Sequence, residues 1–330
     1  MQQKGGSFQS GSEELTLLPV HNWHEWDLLL QTSEQKSVFL LSSYLQTTEL
    51  FPAARYLVVK NKILGGIVIP ELFTESLTNP IRHYSTYQSV WFTSEVASGF
   101  RQSQDQIEIL LGLGKYLLNS GFELKLSLHW SIKDMRGLDW AFFNNHKRII
   151  QFAPRYTGVL DLTKFHHFPE YLKTVSSGRK ADFRLSSSLK VEEVSDASAV
   201  SLFMIMYEET VPFGDFNSKS KALEQVEHLI RNSMVAGTGT LWFAKDHNGN
   251  ALSGVFIQKF GDILYYQFGA RHKHHLKFSP NAVTLMHVIK NAFETDIGSF
   301  DFVGINSPNR GAFKASLNPE PRLYFEVLIR

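Results

Sequence analysis

Arg55-Tyr-Leu-Val-Val-Lys-Asn-Lys-Ile-Leu-Gly-Gly-Ile-Val-Ile69 is two β-branched runs joined by a tight polar turn at Lys60 to Lys62. Leu241-Trp-Phe-Ala-Lys-Asp-His-Asn-Gly-Asn-Ala-Leu-Ser-Gly-Val-Phe-Ile257 has the same grammar, with Asn248-Gly249 supplying the turn. In both hairpins the second strand carries a glycine soon after it starts, Gly66 and Gly254. A helix, a glycine and a strand follow each. In the first half, Gln106 to Asn119 places Ile107, Leu110, Leu113 and Leu117 at helical spacing, Gly121 ends the helix, and Phe122 to Leu128 alternates. In the second half, Ser279-Pro280 opens a helix over Asn281 to Thr295, Gly298 closes it, and Ser299 to Gly304 is the strand. The separations between matching glycines are similar. The echo points to two copies of one α/β unit rather than a solenoid, whose repeats are far shorter.

Length agrees with that reading. At 330 residues the chain exceeds what one hydrophobic core usually supports, and 43% apolar residues, 26 of them Phe, are enough to fill two. Lys and Arg number 33 against 32 for Asp and Glu, a net charge of +1, so wrapping DNA is excluded as a way of life. A contact with a tRNA end or a nucleotide phosphate needs only a few cations and stays open. The absence of cysteine excludes disulfides, thiolate zinc sites and a Cys nucleophile, and fits a reducing cytosol. Residues 1–14, rich in Gly, Ser and Gln, read as a disordered lead-in, not a signal peptide. Apolar runs such as Ile107 to Leu118 are interrupted and too short to span a bilayer. The expectation is a soluble cytoplasmic protein, with peripheral contact at a membrane left open.

Between the copies, Pro154 to Asp161 reads as a strand and Tyr171 to Ser188 as a basic, Ser-rich helical stretch. The N-terminal unit is expected over residues 15–155 and the C-terminal unit over 156–322. The fold class is α/β, with a mixed sheet flanked by helices in each unit.

Several chemistries are missing. Gly112-Leu-Gly114-Lys115 looks like part of a phosphate loop, but the upstream Gly is absent and Tyr116 stands where Ser or Thr would hold magnesium. It belongs mid-helix. No Gly-x-Ser-x-Gly elbow exists, and no Gly-x-Gly-x-x-Gly follows a strand.

The richest polar cluster is Arg271-His-Lys-His-His-Leu-Lys277, after the strand Ile263 to Gly269. Its histidines, His272, His274 and His275, lack an adjacent carboxylate and are flanked by cations, which disfavours a metal dication. A solvated loop explains it. The alternative is a phosphate contact by Arg271 and Lys273, because cations just before a helix N-terminus make a natural anion site. Lys314, in Arg310-Gly-Ala-Phe-Lys-Ala-Ser-Leu317, follows the strand that carries Asp301. Most such lysines are simply exposed, but this one lies at the end of the second unit's sheet, where sites form.

Phe300-Asp-Phe-Val-Gly304 followed by Phe313-Lys314 resembles the terminal signature of the Fem-type (FemAB) aminoacyl transferases and of the related BioF2-like acetyltransferase-domain proteins of the GNAT superfamily. Phe39-Leu-Leu-Ser-Ser-Tyr-Leu45, Asp134-Met-Arg136, Tyr156-Thr-Gly-Val-Leu-Asp-Leu162 and Arg179-Lys-Ala-Asp-Phe-Arg184 agree, so the resemblance spans nearly the whole chain. It implies two tandem GNAT-like domains, with residues 323–330 as a final strand returning to the N-terminal sheet. It also implies a transferase with no tightly bound cofactor, moving an aminoacyl group from charged tRNA to an amine acceptor, a small molecule or a cell-envelope (cell-wall) precursor.

Carried onto this sequence, Lys314 would stabilise the oxyanion or leaving oxygen, with Asp301 positioning it. Arg184 and Arg179 would hold phosphates, and Tyr265 and Tyr266 would orient substrate. Two alternatives stay open. One is an acyl-CoA-dependent acetyltransferase acting on a small amine or sugar. It is ranked second because the segment Arg271 to Asn281, where such enzymes cradle a pyrophosphate, contains no glycine. The other is a catalytically inactive binding module with the same fold.

Overall fold

The computed structural model describes residues 14–73, 85–97, 102–145, 147–194, 196, 198–210, 216–272 and 278–330. The expected lead-in therefore lies almost wholly outside the described residues.

The first half runs β1 (Thr16–Pro19), α1 (Trp23–Gln31), α2 (Ser42–Thr47), β2 (Ala54–Val59), β3 (Lys62–Val68), α3 (Pro70–Phe73), β4 (Val90–Phe92), α4 (Ser94–Ala97), α5 (Gln102–Ser120), β5 (Leu124–Ser127) and α6 (Arg136–Phe142). Its strands pair in the order β1-β2-β3-β4. The β2–β3 turn has Lys60 at φ 50° and Asn61 at φ 62°. Positive φ at both central residues is the geometry a two-residue hairpin needs to match strand twist.

A long strand, β6 (Ile150–Asp161), leads into the second half. There follow α7 (Phe168–Thr174), α8 (Ser177–Arg184), β7 (Lys190–Val194), α9 (Ser198–Thr210), α10 (Phe216–Val235), β8 (Gly239–Lys245), β9 (Ala251–Phe260), β10 (Ile263–Arg271), α11 (Pro280–Ala292), β11 (Ser299–Asp301), α12 (Pro308–Ala315) and β12 (Glu320–Ile329). The expected helical stretch Tyr171 to Ser188 is broken at Val175, which is extended, and α8 restarts behind its cap Ser176.

The two hairpin glycines share one physical cause. A Cβ on Gly66 would stand 2.4 Å from the Trp26 ring, and one on Gly254 would stand 2.9 Å from Phe203. In each half an aromatic from a helix after the unit's first strand, α1 or α9, is laid across the hairpin. Only a strand residue without a side chain admits it. The lookalike Gly112-Leu-Gly114-Lys115 is indeed mid-helix in α5. Gly114 meets Ala141 of α6, and Gly137 of α6 would place a Cβ 2.3 Å from the Ile107 carbonyl oxygen, so these glycines serve helix–helix contact.

The halves are joined by exchanged strands. The second sheet has the order β5-β12-β6-β11-β10-β9-β8-β7. β6 and β12 pair antiparallel from Ile150↔Ile329 to Val159↔Glu320. The outer end of β12 pairs with β5 of the first half, and the far end of β6 pairs with β11 of the second. Residue 156 falls inside β6 and residue 323 inside β12, so both expected boundaries cut unbroken strands. Long-range pairing of this kind leaves no local periodicity to read. Ser89, the residue before β4, donates its N–H to the Ser127 carbonyl of β5 at 3.2 Å, which brings the two sheets edge to edge.

Candidate active site

β10 and β11 run parallel but pair only over Ile263–Tyr265 with Ser299–Asp301. Beyond Tyr265, β10 continues to Arg271 through a bulge between Tyr266 and Phe268, while the chain after Asp301 turns away. Among the described residues no strand completes that edge of β10, so the sheet opens into a notch. The strand expected to run to Gly304 stops at Asp301 because Val303 (φ 51°) and Gly304 (φ 67°) are left-handed. For a β-branched valine this conformation costs about 1–3 kcal/mol and requires fixed surroundings.

Those surroundings are polar and specific. Asp301 Oδ1 accepts from the Val303 amide (2.7 Å) and from the Thr157 hydroxyl (2.7 Å), and the Gly304 amide donates to Thr157 Oγ1 (3.1 Å). On the other side of the turn, Lys314 Nζ donates to the Val303 carbonyl (2.6 Å) and the Gly304 carbonyl (2.9 Å). An ammonium has three protons, so one stays uncommitted to these two oxygens.

Lys314 reaches this position from the last turn of α12, whose start is set by Ser307-Pro308. Its Nζ is 5.5 Å from the centre of the Tyr266 ring. Burial pushes its pKa down to about 7; the Asp301 carboxylate opposes that shift and Arg310 adds to it. The two accepting carbonyls also favour the charged form. Burial pushes Asp301 up to about 6, opposed by its Thr157 and Val303 hydrogen bonds and by Lys314.

Tyr265 and Tyr266 face opposite sides of the sheet, as alternation requires. Tyr266 packs on the α11 side, and a Cβ on Gly269 would stand 2.1 Å from its hydroxyl. Burial raises its pKa, so it remains a phenol at neutral pH. The Asn281 amide is 3.4 Å from the same Gly269 point, and its buried Oδ1 has no hydrogen-bond partner among the described residues. Tyr265 is in the core against Phe39 of the first half, with its hydroxyl donating to the Lys36 carbonyl at 3.3 Å. This placement removes Tyr265 from the notch: it joins the halves.

The other expected site residues divide. Arg179 pairs with Asp182 (3.0 Å) and lies 5.6 Å from the Phe313 ring, one residue before Lys314. Its Nε is buried without a hydrogen-bond partner among the described residues. Asp182 in turn accepts from Ser279 N–H, the cap of α11, at 3.0 Å. Arg184 is exposed, with its Nε donating back to the Lys180 carbonyl. Arg271 is exposed and tied through its backbone to Thr210, and His272 contacts Glu209. Lys273, His274 and His275 lie outside the described residues. Thr157 and Arg310 are the residues sequence reasoning missed. Arg310 stands four positions before Lys314 on one helix, a spacing that puts both on one face; Thr157 came within reach only through the β6 pairing.

Among the described residues no helix is long and apolar enough to cross a membrane. Residues 173–314 match the family model described as an acetyltransferase (GNAT) domain. No curated protein sequence matches the chain. Among solved structures, the chain is similar to the crystal structure of FemX, with TM-score 0.64 and 14% identity over 94% of this chain and 96% of that one. A conserved protein of unknown function from Bacteroides thetaiotaomicron VPI-5482 gives TM-score 0.58 and 9% identity over 96% and 99% of the two chains. L-PGS from Bacillus licheniformis gives TM-score 0.52 and 10% identity over 98% and 94%. Identities this low establish the fold and say nothing of substrates. The chain thus has a fold similar to that of FemX, and its residues 173–314 are similar to the acetyltransferase (GNAT) domain.

Proposed function

We propose that this protein is an N-acyltransferase that works in the notch between β10 and β11, with an acyl thioester of the acyl-CoA class as donor and an amine as acceptor. The supporting observation is the parting of these strands after Tyr265 and Asp301 with Lys314 held across the opening. An extended acyl donor laid along the open edge of β10 pairs with backbone groups that otherwise lack a ladder partner.

The chain's residues then have distinct tasks. The acceptor nitrogen attacks the acyl carbonyl, whose oxygen gains negative charge. The remaining Lys314 proton donates to that oxygen. As the carbon–sulfur bond breaks, the leaving thiolate takes a proton from Tyr266, which burial keeps protonated. The attacking amine gives up its proton to solvent, from which the Tyr266 phenolate is reprotonated, so each turnover yields the amide and the free thiol with no net change in the enzyme. Arg310, exposed and one helical turn before Lys314, supplies positive charge beside it.

A second reading, an aminoacyl ester as donor, draws on one observation. The Asp182 carboxylate already caps α11 through Ser279, the helix start where a pyrophosphate would otherwise bind. Together with the glycine-free Arg271 to Asn281 segment, this favours a donor anchored elsewhere. Calorimetric titration with coenzyme A and acetyl-CoA separates the two. Saturable micromolar binding supports the thioester. No heat at millimolar ligand removes it and turns the test to transfer from charged tRNA.

A further inference from the structure

We infer that Thr157 and Asp301 are positioning residues that lock the Val303–Gly304 turn, and through its two carbonyls the Lys314 ammonium, so that the strand entering from the first half sets the geometry of the second half's site. The consequence for acyl transfer rests on the proposed function; the lock itself does not.

The turn is gripped from both sides. Its two amides are taken by Asp301 and Thr157, and its two carbonyls by Lys314. The Thr157 hydroxyl has one proton, which goes to Asp301 at 2.7 Å, so its lone pairs remain to accept the Gly304 amide. Removing that hydroxyl breaks both contacts at once. Thr157 is fully buried and Asp301 nearly so, so water offers no ready substitute.

Thr157 lies on β6, which pairs with β12 on one side and β11 on the other. The first half also contributes Tyr87, a fully buried tyrosine at φ 57°. Its hydroxyl interacts electrostatically with Asp301 and lies near Thr157, without a hydrogen bond of good geometry. A left-handed tyrosine buried beside Asp301 is a backbone cost borne to close this pocket from the other half. The site is therefore built across the junction.

The test reads Lys314 directly in the full-length protein. With 15N-labelled lysine, a partly buried ammonium held by two hydrogen bonds gives a slowly exchanging NH3 signal, assigned by its loss in Lys314→Met. Thr157→Val is expected to accelerate that exchange at least tenfold, while Thr157→Ser, which keeps the hydroxyl, stays within twofold of wild type. A folded Thr157→Val protein whose Lys314 signal is unchanged overturns the inference. Should Thr157→Val not fold, amide hydrogen exchange of the wild type decides. Val303 and Gly304 are expected to be protected at least a hundredfold over free chain despite lying outside any strand, and unprotected amides there contradict the lock. A locked Lys314 in a protein that transfers no acyl group leaves this inference standing and removes the functional one.

Discussion

Lys314 and Val303 hold each other in place: the Lys314 ammonium donates a 2.6 Å hydrogen bond to the Val303 carbonyl, and Val303 is left-handed at φ 51°. The side chain proposed above as an oxyanion donor is thus not free to move. Here two backbone oxygens fix it, and the same contacts satisfy a strained turn. Under the proposed function, structure and chemistry are therefore coupled at this residue.

Lys314→Met removes both. It is expected to lower kcat/KM by at least about 100-fold, the scale of losing one oxyanion donor, and to lower stability by about 1–3 kcal/mol because two carbonyls lose their partner. Lys314→Arg, which is longer and planar, is expected to recover stability more than activity. Urea denaturation beside initial rates checks the split.

Gly269→Ala tests the Tyr266 placement. A Cβ there would stand 2.1 Å from the Tyr266 hydroxyl, so the ring must swing away from the notch. The expected result is a fall in kcat of about tenfold or more, as for loss of a general acid, while the backbone at Gly269, whose φ is not left-handed, accepts alanine. Unchanged kcat would remove Tyr266 from the chemistry.

The pH dependence of stability has a definite sign at each buried group. Asp301 is raised from 3.8 to about 6, so the native state holds its proton where the unfolded chain has lost it. Stability relative to Asp301→Asn should therefore fall as pH rises through that window. Lys314 is lowered from 10.5 to about 7, so the unfolded chain binds the extra proton. Stability relative to Lys314→Met should rise from pH 7 toward 10. Denaturant midpoints at pH 4.5, 6, 7.5 and 9.5 report both.

Because β6 and β12 pair with strands of both halves, the two units are expected to unfold as one body. Calorimetric unfolding is expected to show a single transition, and truncation before Glu320 to unfold both units, since β5 and β6 each lose β12. Two separable transitions would show that the strands contribute little to holding the halves together. Within the first half, Gly137→Ala should cost about 1–3 kcal/mol by forcing α6 away from α5.

The sequence was legible where structure is local. The hairpin turn at Lys60-Asn61, α5, and α11 behind Ser279-Pro280 are all short-range patterns; the structure has all three, with α5 starting at Gln102, four residues before the expected start, and α11 ending at Ala292, three before the expected end. The pairing of Ile150–Val159 with Glu320–Ile329 was not, because residues some 170 apart leave no periodic trace of each other. The same limit governs the site. Alternation already implies that Tyr265 and Tyr266 face opposite ways, but only the sheet order tells which one meets the notch. Lys314 and Asp301 were found through short motifs, whereas Thr157 joins them through the long-range pairing alone.

The most direct measurement of the central claim is mass-spectrometric detection of acyl transfer from acetyl-CoA to a pooled set of primary amines, run with wild type and Lys314→Met. Acetylated products that appear with wild type and drop at least a hundredfold with Lys314→Met are what the notch geometry predicts. Equal product from both proteins, or none from wild type with either acetyl-CoA or charged tRNA as donor, would contradict it.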